Sequence, residues 1–315
     1  MCGILVAMKK KNFSSGFCRK CLHTSLSVAD MVRFACMVYP DYDIYKTSGY
    51  PKGHPIANQD AANRIVLDMI QGGYFVDFVE KLIEVDAHGY MGNRFDLRGL
   101  EDVVNDVINA GYSFDKTTGQ FFENQRERIT RNWGRLIEGD ERQMAVMRLD
   151  IAGNSILVKE NPKNLIEKTY GDLRKIVTKA VVSRLGRLWI WEGDGALAAF
   201  MLSNYSRMAI CASIDIINEM IIYNKMSNVL NAEIKLRLSV HSGHIVYSNN
   251  DTECLKSEIV RKAISLESKA AVPNSVVISE NLAVTQDQAL LDIFSLMKSV
   301  GTEKFRCYQV SQKNE

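Results

Sequence analysis

The chain has 315 residues, 46% hydrophobic and 24% charged, with a formal net charge of +2. That length holds two domains with a core each, and so small a basic excess argues against a dedicated nucleic-acid binder. No run reaches the ~20 continuous apolar residues of a membrane-spanning helix; the nearest, Met208 to Met226, is broken at helical spacing by Asp215, Asn218, Glu219 and Asn224 and reads as a buried or interface helix.

Residues 1–45 carry no clear period and are expected to form a poorly defined leader. Apolar Cys2 to Met8 precedes Lys9-Lys10-Lys11, the reverse of a signal peptide's order. Met1-Cys2-Gly3-Ile4 matches the start of amidotransferases that use an N-terminal cysteine, but without the rest of that domain. Seven cysteines, an odd number, point to reduced thiols and a cytoplasmic protein. Cys18-Arg19-Lys20-Cys21 with His23 could contribute to a zinc site, yet such a site needs four ligands. Only Cys2 and Cys36 are other cysteines in reach, so free thiols on a mobile leader are expected.

A mainly helical domain is expected over 46–141. Ile65, Val66, Met69 and Ile70 recur at the spacing of one helix face, closed by Gly72-Gly73; Phe75, Phe78, Val79, Leu82 and Ile83 repeat it. Leu100, Val103, Val104, Val107 and Ile108 do so again before Gly111. Asp115-Lys116-Thr117-Thr118-Gly119 is a turn signal. A charged helix over about 121–137 is expected to lead to a boundary at Gly139-Asp140.

After 142 the pattern alternates. Strands are expected at 143–150, 186–192, 195–201, 234–241, 243–248 and 274–279, with helices over 162–184, 204–229 and 254–270. The fold class is therefore α+β, its start a ferredoxin-like βαββαβ unit with additional strands. In that arrangement Asp150 leaves the end of a central strand, and Asp194 sits in the hairpin of its neighbours. Two carboxylates brought together there suit hard cations such as Mg²⁺; taken singly, each is an ordinary turn residue. The same architecture also serves RNA-binding domains, but no aromatic RNP-like strand is visible.

Four segments stand in one order: Asp150-Ile151-Ala152-Gly153-Asn154-Ser155, Gly193-Asp194-Gly195 before an apolar strand, Arg237-Leu238-Ser239-Val240-His241-Ser242-Gly243, and Cys254 to Ala270 followed by Tyr308-Gln309-Val310. Together they make residues 142–315 resemble the class III nucleotidyl cyclase catalytic domain, and most of all the pyrimidine cyclases of the Pycsar antiphage system. The resemblance implies attack of a ribose 3′-hydroxyl on the α-phosphate with loss of pyrophosphate. It implies two Mg²⁺ or Mn²⁺ ions per site, bridged by Asp150 and Asp194 and completed by the Ile151 carbonyl. Amides of Gly153, Asn154 and Ser155 would cradle phosphate. Arg237 would bind the triphosphate, though an ordinary strand arginine is the alternative.

The departures shape the substrate expectation. The family's purine-reading position falls on Ile190, which has no hydrogen bond to offer, and its partner position on Cys254. A pocket lined by Ile190 and Trp191 would favour a smaller base, UTP or CTP, over the ATP or GTP of a purine cyclase. The family's Asn-x-x-x-Arg pair falls on Arg261 and Ser265; Arg261 could supply the missing charge, with Lys262 and Arg148 as other candidates, or the chain could be a non-catalytic nucleotide-sensing module. The resemblance further implies a homodimer with composite sites and a separate effector activated by the cyclic nucleotide. The helical region would be regulatory or a docking module.

Overall fold

The computed structural model describes residues 13, 15–49, 51–126, 129–301 and 303–310. The Met1-Cys2-Gly3-Ile4 segment and the lysine run after it lie outside the described residues. The chain forms two units, divided between Ile129 and Thr130, earlier than the boundary expected at Gly139-Asp140.

The first unit is built on six helices: α1 (Ser15–Ser25), α2 (Val28–Val38), α3 (Ile44–Ser48), α4 (Asn58–Gly72), α5 (Phe75–His88) and α6 (Leu100–Asn109). The helix faces read from the sequence are its core, since Ile65, Val66, Met69, Phe75, Phe78, Val79, Leu82, Val103 and Val107 are all buried. Gly73, at φ +80°, ends α4 as a left-handed cap and turns the chain into α5.

Two expectations fail in this unit. Residues 15–48 are not a loose leader: Cys18, Cys21, Leu22, Met31, Phe34 and Ile44 are buried in the same core as α4 and α5. The helices escaped notice because they are short and their apolar faces are irregular, with cysteines and an alanine in core positions. Among the described residues the charged helix expected over 121–137 does not form. Its first residues form β2 (Gln120–Glu123), antiparallel to β1 (Tyr112–Asp115). The turn between them is the expected one, with the Asp115 carboxylate accepting from Thr117 N at 3.0 Å. Phe121 and Phe122 are buried, and that demand outweighs the helical propensity of the charges that follow.

The second unit is a seven-stranded sheet in the order β4-β5-β3-β6-β7-β9-β8. Its elements are β3 (Glu141–Ile151), α7 (Asn154–Glu160), α8 (Lys163–Ser183), β4 (Arg187–Glu192), β5 (Gly195–Phe200), α9 (Tyr205–Met226), β6 (Leu236–Val246), α10 (Asp251–Lys256), α11 (Glu258–Ala270), β7 (Ser275–Ser279), α12 (Glu280–Ala283), α13 (Gln288–Leu291), β8 (Lys298–Val300) and β9 (Glu303–Gln309). A β-α-β-β-α-β run from β3 to β6 thus stands at the head of the unit. Only the β6–β7 pairing is parallel.

Alternation along the strands sorts the two faces. Ala145, Met147, Leu149 and Ile151 of β3 join Ala196, Ala198 and Phe200 of β5 in the core beneath α8 and α9. The even-numbered residues of β3 face the other way, toward α11, whose Ala263 carbonyl accepts from Ser239 Oγ at 2.7 Å. The expected break after His241 does not occur. β6 runs on through Gly243, paired with β3 along its whole length from Ile151↔Leu236 to Glu141↔Val246. Gly243 makes no turn; a Cβ there would meet Ile259 of α11 at 3.8 Å, an ordinary packing distance. The helix expected over 254–270 is two helices, broken at extended Ser257. No helix among the described residues is long and apolar enough to cross a membrane.

Burial pushes the Cys21 thiol up to about 12 and the Cys18 thiol higher still, against an ordinary cysteine near ~8.5. Neither is a thiol on a mobile leader. Alkylation of native protein at about pH 8, mapped by mass spectrometry, should leave Cys18 and Cys21 unmodified until denaturant is added. Labelling at the rate of a free thiol would contradict the packing of α1.

Candidate active site

Asp150 is the penultimate residue of β3, directly opposite Arg237 of β6. β3 ends because Gly153, at φ +71°, turns the chain into α7. Asp194 follows Gly193, at φ +55°, in the two-residue turn between β4 and β5, whose strands pair up to Glu192↔Gly195. Since Leu149 pairs with Ala196, this turn lies beside the end of β3 that carries Asp150. The two aspartates therefore share one end of the sheet, and both act electrostatically on Tyr170, Arg237 and Glu267.

Arg237 is bound into this cluster. Its Nη2 donates to Asp150 Oδ2, and its Nε lies 2.9 Å from Glu267 Oε1. The second contact is an ion pair without hydrogen-bond alignment, so Nε and Oε1 remain unsatisfied as donor and acceptor. The hydrogen bond to Asp150 raises the Arg237 pKa above its ordinary value despite partial burial. Glu267 is 4% exposed. Burial raises its carboxyl above the usual range, and the Arg237 charge offsets only part of that rise.

Glu267 and Tyr170 were not anticipated. Glu267 carried a readable signal: it stands at a core position of α11, in phase with Ile259, Val260, Ala263 and Leu266. A carboxylate on an apolar helix face needs a cation to meet it. Tyr170, on α8, donates its hydroxyl to Asn154 Oδ1. Burial raises its pKa, and the nearby aspartates add to the rise. Asn154 is thereby fixed at the start of α7, next to exposed Gly153 and Ser155.

Other expected site residues are not assembled here. Ile190 and Trp191 do not line one pocket. A bulge between Leu188 and Ile190 puts Ile190 opposite Leu197, on the Asp150 face, whereas Trp191 packs on the α8–α9 core under Arg174, 5.8 Å from its ring centre. Arg261 is exposed on α11 and has no contact with either aspartate among the described residues. Cys254 is buried in α10. Its thiol is raised by burial and held back by Arg131, which lies 5.6 Å over the Trp189 ring and pairs with Asp251. Tyr247, against Trp189, ties this cluster to Asp140, just before β3, while Asp150 is the strand's penultimate residue.

Among the described residues no group of three or more His, Cys, Asp and Glu side chains could hold a metal ion. Two aspartates and the backbone of Ile151 are what this chain offers. Hard oxygen donors, few in number, fit Mg²⁺ or Mn²⁺, which keep water and phosphate in their remaining positions. The guanidinium against Asp150 shows that this carboxylate already holds a cation.

No protein-family model and no curated protein matches the chain. Solved structures resemble it over about half its length and nearly all of theirs. The guanylyl cyclase Cya2 is 14% identical, covering 56% of this chain and 98% of that one, with a TM-score of 0.47. The adenylyl cyclase CyaB from P. aeruginosa is 15% identical over 57% and 100%, at 0.46. An adenylate/guanylate cyclase/hydrolase from Silicibacter pomeroyi is 19% identical over 55% and 99%, also at 0.46. Their names differ in the base they act on.

The raised Glu267 carboxyl has a sign that can be tested. It binds its proton more tightly folded than unfolded, so it lowers stability as pH rises from about 4.5 through its folded value. Glu267→Gln removes that slope. Thermal unfolding should show the variant gaining on the wild type between about pH 4.5 and pH 7. A constant gap across this range would contradict the burial argument.

Proposed function

We propose that residues 130–315 form a nucleotidyl cyclase, converting a nucleoside triphosphate to its 3′,5′-cyclic monophosphate and pyrophosphate. The observation that carries this is the convergence of Asp150 and Asp194, from separate strands, beside Arg237 and the turn into α7. Bound there, divalent ions would lower the barrier to deprotonating the 3′-hydroxyl and offset the charge of the departing pyrophosphate. Asp150 and Asp194 would hold them, with the Ile151 carbonyl. Gly153, with open space where a side chain would stand, lets phosphate approach the backbone before α7. Arg237 would leave Asp150 for a phosphate oxygen while Glu267 keeps the other edge of its guanidinium.

The substrate favoured is UTP or CTP, because buried Ile190 gives no donor or acceptor to a purine edge. Cys254 has no contact with Asp150 or Asp194 among the described residues, so it would serve a metal site from a second copy. A two-fold homodimer supplies that arrangement and also brings exposed Arg261 of one protomer to its partner's phosphates. The closeness of Asp150–Ser155 to the Pycsar segment supports a role in antiphage signalling through a separate effector.

Incubating full-length protein with all four nucleoside triphosphates and Mg²⁺ or Mn²⁺, then weighing the products, tests this. Cyclic UMP or CMP and pyrophosphate should form ahead of cyclic purines, and Asp194→Ala should lower turnover by about a thousand-fold or more. Cyclic AMP or GMP alone would replace the pyrimidine assignment with the purine one. Nucleotide binding without product would leave a sensing module.

A further inference from the structure

We infer that Arg148 receives the polyphosphate of the substrate, an inference that rests on the cyclase reading above. Arg148 precedes Asp150 on β3 by two positions, so both side chains project on the α11 face. Its guanidinium packs over the second glycine of the Asp194 turn. A Cβ at Gly195 would stand 2.5 Å from Nη2 and 2.9 Å from Cζ. The glycine therefore serves more than the hairpin, because it makes the space in which this cation rests.

Arg148 makes no direct ion pair among the described residues. Its Nε is buried without a hydrogen-bond partner, and no hydrogen bond or ion pair reaches the side chain among the described residues. The neighbouring cations are otherwise engaged. Arg237 is shared by Asp150 and Glu267, and Lys262 pairs with Glu258 at 2.7 Å. Arg261 is exposed on α11. The groups that face Arg148 are Glu267, on which its charge acts, and the Asp194 turn.

Buried polar atoms without partners are rare in folded proteins, and the unpartnered Nε of this half-buried guanidinium costs stability. Such a cost is kept where a ligand supplies the partner. A planar guanidinium matches two oxygens of a phosphate at once, and it holds its charge at any working pH. Divalent ions on Asp150 and Asp194 would remove the nearby negative charge and leave Arg148 and Arg237 as a pair of cations. A polyphosphate, with more than one charged group, can engage both. Arg148 thereby adds a cation to the phosphate site from within the same subunit.

Calorimetric titration of full-length protein with sodium tripolyphosphate in Mg²⁺ buffer tests this, with pyrophosphate and orthophosphate as further arms. Arg148→Met should weaken tripolyphosphate binding by about ten- to a hundred-fold, the worth of one or two charge-assisted hydrogen bonds. Arg148→Lys should recover part of it. Gly195→Ala keeps every charge but displaces the guanidinium, and it should weaken binding too. It carries the test if Arg148→Met fails to fold. Wild-type affinity in Arg148→Met, or in Gly195→Ala if only that variant folds, overturns the inference. Because the titration needs no turnover, Arg148-dependent binding without any cyclic product would sink the cyclase reading alone. Cyclisation with Arg148-independent binding would sink this inference alone.

Discussion

Carboxylates crowd one end of a sheet only where cations are built in among them, and the second unit is organised around that constraint. Asp150, Asp194 and Glu267 come from a strand, a turn and a helix that are distant in sequence. Arg237 meets the first and third at the sheet end, and Arg148 stands behind the second. Like charges at close range raise one another's pKa or force the protein apart unless opposite charge intervenes. No single element contains the site. It exists once β3 is paired on both sides, with β5 carrying the turn and β6 carrying the arginine.

The same constraint gives the site its working tension. Arg237 stabilises the metal-free protein by pairing with Asp150, and that pairing competes with any ion Asp150 is to hold. On the cyclase reading, loading would be an exchange of partners, the guanidinium passing to phosphate as the carboxylate took up metal. Glu267 makes the exchange short, because it retains one edge of the guanidinium throughout. Such an arrangement would disfavour metal without nucleotide and favour the two together, coupling ion and substrate binding.

Much of this was legible in residue order. The strands, the Gly193-Asp194 turn and the placing of both aspartates followed from alternation and turn chemistry, which are local. What escaped notice was non-local. The burial of Cys18 and Cys21 depends on packing α1 against α4. The opposite orientations of Ile190 and Trp191 depend on a one-residue bulge that no propensity announces. The uninterrupted course of β6 through Gly243 depends on its pairing with β3 along the whole length. Glu267 stood in plain view on an apolar helix face, yet its partner is thirty positions earlier in the chain, and only the fold joins them.

The account stands on divalent ions being held by Asp150 and Asp194. The most direct measurement is anomalous diffraction from crystals of the full-length chain grown with Mn²⁺ and a 3′-deoxynucleoside triphosphate, which binds but cannot cyclise. Manganese peaks between the two carboxylates, with Arg237 turned from Asp150 to phosphate, are the predicted result. Nucleotide bound at the site with no manganese on either aspartate, and Arg237 still on Asp150, would contradict it.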